Sequence, residues 1–182
     1  MSPNTGYFRA VKNIGQVSNK GLEVSVAYTP VENENFSWNS SFNIAFNRNK
    51  VLALADNQNY ILTSQAWGDD WRNIPGYIAM LDRPISQFYG FIYDGVYQYD
   101  DFNRVGENWV LKNDVTANNA SGTNVQPGDV KYRDLNGDYI IDENDKTVIG
   151  NPIPKHMGGF ANTFNYKNFD LHVFLQWSYG ND

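Results

Sequence analysis

Four stretches of the chain alternate apolar and polar residues with a period of two. In Phe36–Asn47 one face carries Phe36, Trp38, Ser40, Phe42, Ile44 and Phe46; the other carries Ser37, Asn39, Ser41, Asn43, Ala45 and Asn47. Successive side chains of a strand point to opposite faces, so the pattern predicts a strand with one greasy and one small polar face. Gly21–Thr29 repeats it, with Leu22, Val24, Val26 and Tyr28 opposite Glu23, Ser25, Ala27 and Thr29. Asp170–Ser178 sets Leu171, Val173, Leu175 and Trp177 against His172, Phe174, Gln176 and Ser178. Gly158–Lys167 is weaker, because Asn162 interrupts the apolar set Phe160, Phe164 and Tyr166. The polar links Pro30–Asn35 and Lys167–Phe169 predict two antiparallel hairpins, over about 20–48 and 157–179. The intervening 49–156 holds scattered strand-like pieces, chiefly Asn59–Thr63 and Gln87–Gln98, and a polar loop over Asn113–Pro127.

Two environments accept such strands. In a sandwich the greasy face turns inward against a second sheet. In an outer-membrane β-barrel it turns toward lipid and the polar face toward a wet lumen. The runs exceed the usual globular strand of ~5–6 residues and suit a tilted membrane-crossing strand. Tyr28, Phe36, Phe160, Tyr166, Trp177 and Tyr179 stand near run ends, where aromatic girdles belong. Two connections are short and one is very long, as with periplasmic turns and outer loops. The expected fold is therefore all-β: antiparallel strands of part of a large outer-membrane barrel, with 49–156 as a long extracellular loop region. The up-and-down scheme allows that region zero or two spanning strands. Four strands cannot close a barrel, which needs ~8. Residues 1–182 are thus expected to be a piece of a longer barrel domain.

Composition removes other classes. The 182 residues include no Cys, so there is neither a disulfide framework nor a thiolate metal site. A net charge of −6 without a basic run argues against a nucleic-acid partner. No apolar run is long enough for a membrane helix. The start of the chain lacks the charged and apolar regions of a signal peptide, which fits a chain that begins inside a longer protein.

One segment has the rhythm of a metal loop. From Asp134 to Asp145, oxygen-bearing side chains fall at loop positions 1, 3, 5, 9 and 12: Asp134, Asn136, Asp138, Asp142 and Asp145. Ile140 at position 7 could offer its carbonyl, as in EF-hand calcium loops. Two departures weaken the match: Tyr139 stands where Gly usually turns the chain, and Asp145 is shorter than the usual Glu. An Asx-rich turn in which these side chains cap their own backbone fits equally well. Calcium is the one cofactor the sequence suggests, and its role would be to staple a loop. Trp67, Trp71, Tyr89 and Tyr93, with Phe88, Phe91, Tyr97 and Tyr99, could stack on sugar rings or pack against each other. His156 is expected in a loop and His172 on the lumen-facing side. Asp69-Asp70 and Asp100-Asp101 could serve a glycosidase or simply be solvated, and no GxSxG, HExxH or P-loop is present. No catalytic residue is assigned.

The ordered motifs are more specific. Gly95-Val96-Tyr97-Gln98, then Pro127-Gly128-Asp129-Val130-Lys131-Tyr132-Arg133-Asp134-Leu135-Asn136-Gly137-Asp138, then Ile149-Gly150-Asn151-Pro152-Ile153-Pro154-Lys155 resemble the SusC/RagA family. So do Asn19-Lys20-Gly21-Leu22-Glu23, Gln87-Phe88-Tyr89-Gly90 and the stretch Gly158-Gly159-Phe160 through Asp182. These are TonB-dependent outer-membrane transporters of Bacteroidetes. The resemblance implies a late segment of a barrel of about 22 strands that encloses a plug. It further implies nutrient import rather than catalysis, with a glycan or peptide ligand, a SusD-like surface lipoprotein as lid, TonB as energy source and outer-membrane lipid around it. The bottom-up rivals are a secreted calcium-stabilised β-sandwich that binds carbohydrate and a glycoside hydrolase domain.

Overall fold

The structure, a computed structural model, describes residues 13–64, 74–118 and 124–182. Among the described residues twelve strands fall in two compact units. The first unit comprises Met1–Ile61, Ala79–Ser86 and Asn151–Asp182. It is built on β1 (Gly15–Glu32), β2 (Phe36–Leu54), β11 (His156–Tyr166) and β12 (Phe169–Tyr179), paired antiparallel in the order β1-β2-β11-β12. The last strand before the long intervening segment thus pairs directly with the first strand after it.

The register carries the alternation straight across the sheet. Val24, Ile44, Gly158 and Trp177 form one row; Val26, Phe42, Phe160 and Leu175 form the next. This apolar face is open: Leu22 is 61% exposed, Leu175 58% and Phe42 37%. A sandwich requires these side chains to be sealed, so the sandwich alternative does not describe this sheet. Rings collect at both ends of the face. Trp38 stacks on Phe164 near the short turns, and Phe42 on Trp177 toward the other end, each with centroids 5.7 Å apart. A Cβ at Gly158 would collide with the Trp177 ring, so glycine there lets the indole lie against the sheet. The interrupting Asn162 also has a purpose. It is 7% exposed, and its Oδ1 accepts the Trp38 indole N–H at 2.9 Å, which satisfies two polar groups on a greasy surface.

The strands run further than the alternation suggests, to Gly15 and Leu54, which pair at the open end of the first hairpin. Their extension is held by the segment Ala79–Ser86. Val51 N–H donates to Arg83 O at 3.0 Å, Asp82 N–H donates to Val51 O at 3.0 Å, and Lys50 pairs with Asp82 at 2.8 Å. His156 is not in a loop. It opens β11, lies against Phe46 and Tyr179, and its Nδ1 accepts the Trp177 N–H at 3.2 Å.

The second unit comprises Leu62–Ile78 and Gln87–Gly150. Its strands are short. They include β5 (Gln87–Gly90), β6 (Tyr93–Val96), β7 (Phe102–Val105), β8 (Asn108–Leu111), β9 (Val130–Tyr132) and β10 (Thr147–Gly150). With β3 (Tyr60–Ser64) and β4 (Pro75–Met80), one sheet has the order β10-β5-β4-β3; β6-β9 and β7-β8 are separate pairs. The stretch Gln87–Gln98 is therefore two strands in two sheets. The core is conventional: Ile141, Tyr97, Phe102 and Ile78 are buried. Tyr97 meets Phe102 edge-on at 6.0 Å and donates its hydroxyl to Thr116 O at 2.7 Å. Burial pushes its phenol pKa up, and the carboxylates of Asp101 and Asp129 add to the effect against one backbone donor. The motifs Gly95–Gln98 and Pro127–Tyr132 meet here. Tyr97 N–H donates to Asp129 O, and Gly128 N–H returns to Tyr97 O.

Candidate functional site

The polar face of the four long strands is the larger candidate. Its rows read Ser25, Asn43, Gly159, Gln176; then Ala27, Ser41, Ala161, Phe174; then Asn39, Thr163, His172. Small side chains, amides and hydroxyls dominate, with Glu23 toward one end and Asp170 toward the other. Neighbouring strands are cross-linked on this face. Thr29 Oγ1 donates to Asn39 Oδ1 at 2.8 Å, and Asn165 Nδ2 donates to Ser37 Oγ at 2.9 Å. Thr163 Oγ1 and His172 Nδ1 lie 2.9 Å apart, so His172 faces the polar side as the alternation predicts. Between these links a shallow concavity of about 510 Å³ is lined by Ala27, Asn39, Ser41, Ala161, Thr163 and His172, among others. Such a wall binds water and neutral polar groups without strong charge, because amides and hydroxyls offer both donors and acceptors.

The acidic loop is the second candidate, and its side chains are occupied. Asp134 accepts the N–H groups of Gly137 at 2.6 Å and Tyr139 at 2.8 Å. Desolvation opposes ionisation of this carboxyl. Backbone donors from Gly137, Tyr139, Asp138 and Asn136 outweigh it and hold the pKa below its ordinary value. Asn136 Oδ1 accepts from Asp138 N–H at 3.0 Å, and Asp138 Oδ1 accepts from Ile140 N–H at 2.8 Å. Asp142 caps the next turn through Asn144 N–H at 2.8 Å. Asp145 is fully buried and pins both ends of the loop, accepting Leu135 N–H at 2.8 Å and Asp142 N–H at 2.9 Å. Among the described residues no group of three or more acidic, His or Cys side chains is placed to hold a metal ion. The geometry is that of interlocked Asx turns. Tyr139 nevertheless takes φ +65°, the conformation its side chain disfavours. Its carbonyl accepts Ala117 N–H at 3.0 Å, and Ile141 N–H donates to Ala117 O at 3.0 Å. That parallel bridge holds Tyr139 in place.

Among the described residues the aromatic candidates are not assembled into one platform. Tyr89 is in β5 and Tyr93 in β6, in different sheets. Trp67 and Trp71 lie outside the described residues, as do Asp69 and Asp70. Other rings of the second unit pack on one another, as Phe91 on Tyr132 at 5.1 Å and Tyr99 on Trp109 at 5.0 Å. The ring that sequence reasoning passed over is Phe174. Its signal is an aromatic at a polar-phase position of β12, and it is 56% exposed.

Known proteins share this arrangement. No family model matches the chain. TonB-dependent receptor P39 of Formosa agariphila is 32% identical over 200 residues, a match covering 98% of this chain. The chain belongs to the TonB-dependent receptors. Receptor P3 of the same organism is 32% identical over 98% of the chain, and SusC of Bacteroides thetaiotaomicron 25% identical over 93%. The chain spans 18%, 16% and 15% of these three receptors' lengths. The fold is likewise that of solved receptor chains. The RagAB peptide transporter superposes with a TM-score of 0.60 at 18% identity, over 92% of this chain and 15% of that one. The RagAB importer in its closed-closed state gives 0.62 at 19% identity, over 93% and 16%. The SusC/RagA resemblance of the motifs agrees with both comparisons.

Proposed function

We propose that the chain is part of the wall and outer loops of a bacterial outer-membrane receptor that imports oligosaccharides. The observation that carries this reading is the long sheet with an open apolar face and an open hydrated face. From Phe36 to Phe46 the strand advances ten residues, about 33 Å at about 3.3 Å each. Tilted by about 40°, that becomes roughly 25 Å, the height of a lipid-facing band. Phe36, Trp38, Phe164, Tyr166 and Phe169 mark one border; Phe46, His156, Trp177 and Tyr179 mark the other. Energy comes from TonB, and a SusD-like lipoprotein closes the outer side. On this reading the chain's part is binding rather than catalysis: among the described residues, the polar wall offers the hydrogen bonds of amides and hydroxyls.

The neutral polar wall favours sugar over peptide as cargo. The peptide reading draws on RagAB, whose structures are of a peptide importer. Growth separates the two. Deleting the receptor that carries this chain should abolish growth on its oligosaccharide and leave growth on peptides intact. Removing TonB should give the same phenotype. The reverse pattern, with peptide use lost and sugar use kept, excludes sugar as the cargo.

A further inference from the structure

Beyond the outer ring border, the extended ends of β1 and β2 carry their cations on one side only. Lys20 lies two residues on from Leu22, and Arg48 two residues on from Phe46, so both stand on the apolar side. They face each other in register, and Ser18 opposite Lys50 is the next row out. The other side of these ends reads Asn19 opposite Asn49, Gly21 opposite Asn47 and Glu23 opposite Ala45, without a cation. Lys20, Arg48 and Lys50 are all exposed. Asp82 offsets Lys50 at 2.8 Å, and among the described residues neither Lys20 nor Arg48 has a carboxylate partner. Like charges directly opposite on one face destabilise a sheet, because their Cβ atoms lie only about 4.5–5.5 Å apart. The counter-charge has to come from outside the chain. Arg48 is already oriented to meet it. Its Nη1 donates to Asn47 O and Lys155 O, both at 2.8 Å, which leaves Nε and Nη2 to donate elsewhere.

We propose that Lys20, Arg48 and Lys50 bind the phosphate of a lipid A-type glycolipid in the outer leaflet of the membrane. This rests on the membrane-wall reading above and not on the identity of the cargo. From Phe46 to Arg48 the strand advances about 6.6 Å, or roughly 5 Å of height at a tilt of about 40°. The cations therefore stand just above the border formed by Phe46, His156 and Tyr179, where hydrocarbon gives way to headgroups. Long basic side chains lay their stems along apolar surface and keep their heads in that layer. β2 is flanked by β1 and β11 of this same chain, so its outward face is turned away from the lumen and anything the lumen encloses. A guanidinium fork and an ammonium together match a phosphate in charge and in hydrogen-bond geometry. A zwitterionic headgroup brings an ammonium of its own and leaves the Lys20–Arg48 repulsion in place.

The test uses the intact receptor, purified in detergent from the outer-membrane fraction, stripped of lipid and titrated with lipid A under native mass spectrometry. Lys20→Gln and Lys50→Gln should each weaken lipid A about fivefold, and Lys20→Gln with Arg48→Gln about 25-fold. Lys20→Arg should retain affinity. Lys167→Gln, which removes a cation beside the short turns, should change nothing. Dephosphorylated lipid A should bind more weakly than lipid A and respond to none of these changes. Heat-modifiable migration on gels confirms that each variant is folded. Unchanged affinity in both Lys20→Gln and the double variant overturns the site and leaves the membrane wall standing. Equal affinity for lipid A and its dephosphorylated form also overturns it, because acyl chains alone would then hold the lipid. Variants that alter self-association and leave lipid A binding intact would assign the face to a second copy of the receptor, and the site falls. A receptor that does not fractionate with the outer membrane removes the wall reading, and the site goes with it.

Discussion

The two units spend the same residue types in opposite ways. In the second, Tyr97, Phe102 and Ile141 are buried together as a core, as in a small water-soluble domain. In the four-stranded sheet Leu22, Leu171 and Leu175 are all more than half exposed, and apart from Val51 near the far end of β2 the buried positions are Gly158, Gly159 and Asn162. Burial alone would mark the sheet as misfolded. The difference teaches that an apolar side chain is placed by its solvent: where the surrounding medium is itself apolar, the hydrophobic term stops distinguishing inside from outside.

Substitutions can break this contrast. Ile141→Ala should cost the second unit about 2–5 kcal/mol, as buried aliphatic truncations do. Hydrogen-exchange mass spectrometry of peptides spanning 93–145 in the intact receptor should show the loss. Leu175→Arg should cost about 2–4 kcal/mol near the bilayer midplane despite its exposed position. Gln176→Arg, one residue on and facing the other way, should be nearly silent. Equal effects from these two in urea titrations of the reconstituted receptor would mean that the sheet does not separate lipid from water. Asp145→Ala strands two buried N–H donors and should cost about 1–3 kcal/mol, read as faster exchange of the Leu135 and Asp142 amides.

Smaller effects sharpen the picture of the acidic loop. Because the Asp134 carboxyl is held below its ordinary pKa, its contribution is complete above the unfolded value of 3.8. It should fade as pH falls through the lower folded value, so protection of the Gly137 and Tyr139 amides should survive to more acidic pH than ordinary carboxylate titration allows. Calcium must compete with those same N–H groups. We expect binding weaker than about 1 mM. Saturable heat at micromolar calcium, lost in Asp138→Ala, would show that the loop rearranges around an ion.

Legibility in the sequence followed the physics of alternation. The hairpins could be placed because each strand keeps different company on its two sides. Their outer extensions could not, because Asn47, Arg48, Asn49 and Lys50 are polar on both sides and the period disappears. The strands of the second unit are mostly three to six residues long, too short to show a period, and were visible only as fragments. Within the loop, spacing picked out oxygens that accept backbone amides, because Asx turns and ion-binding loops share the same rhythm. Spacing cannot tell an acid that faces an ion from one that, like Asp145, is sealed against backbone amides. Phe174 falls on the face that parity gives it, yet its seat against Gly159 on the adjacent strand is a relation fixed only by register.

The outer edges of β1 and β12 have a consequence for assembly. Among the described residues neither edge meets another strand, so alternate peptide groups along each point outward without an amide partner. Water tolerates this; hydrocarbon does not, at several kcal/mol for each bare group. These four ribbons therefore cannot cross into a bilayer by themselves, however oily their flank. Entry has to be concerted with whichever ribbons close on either side, which makes insertion a property of the completed cylinder.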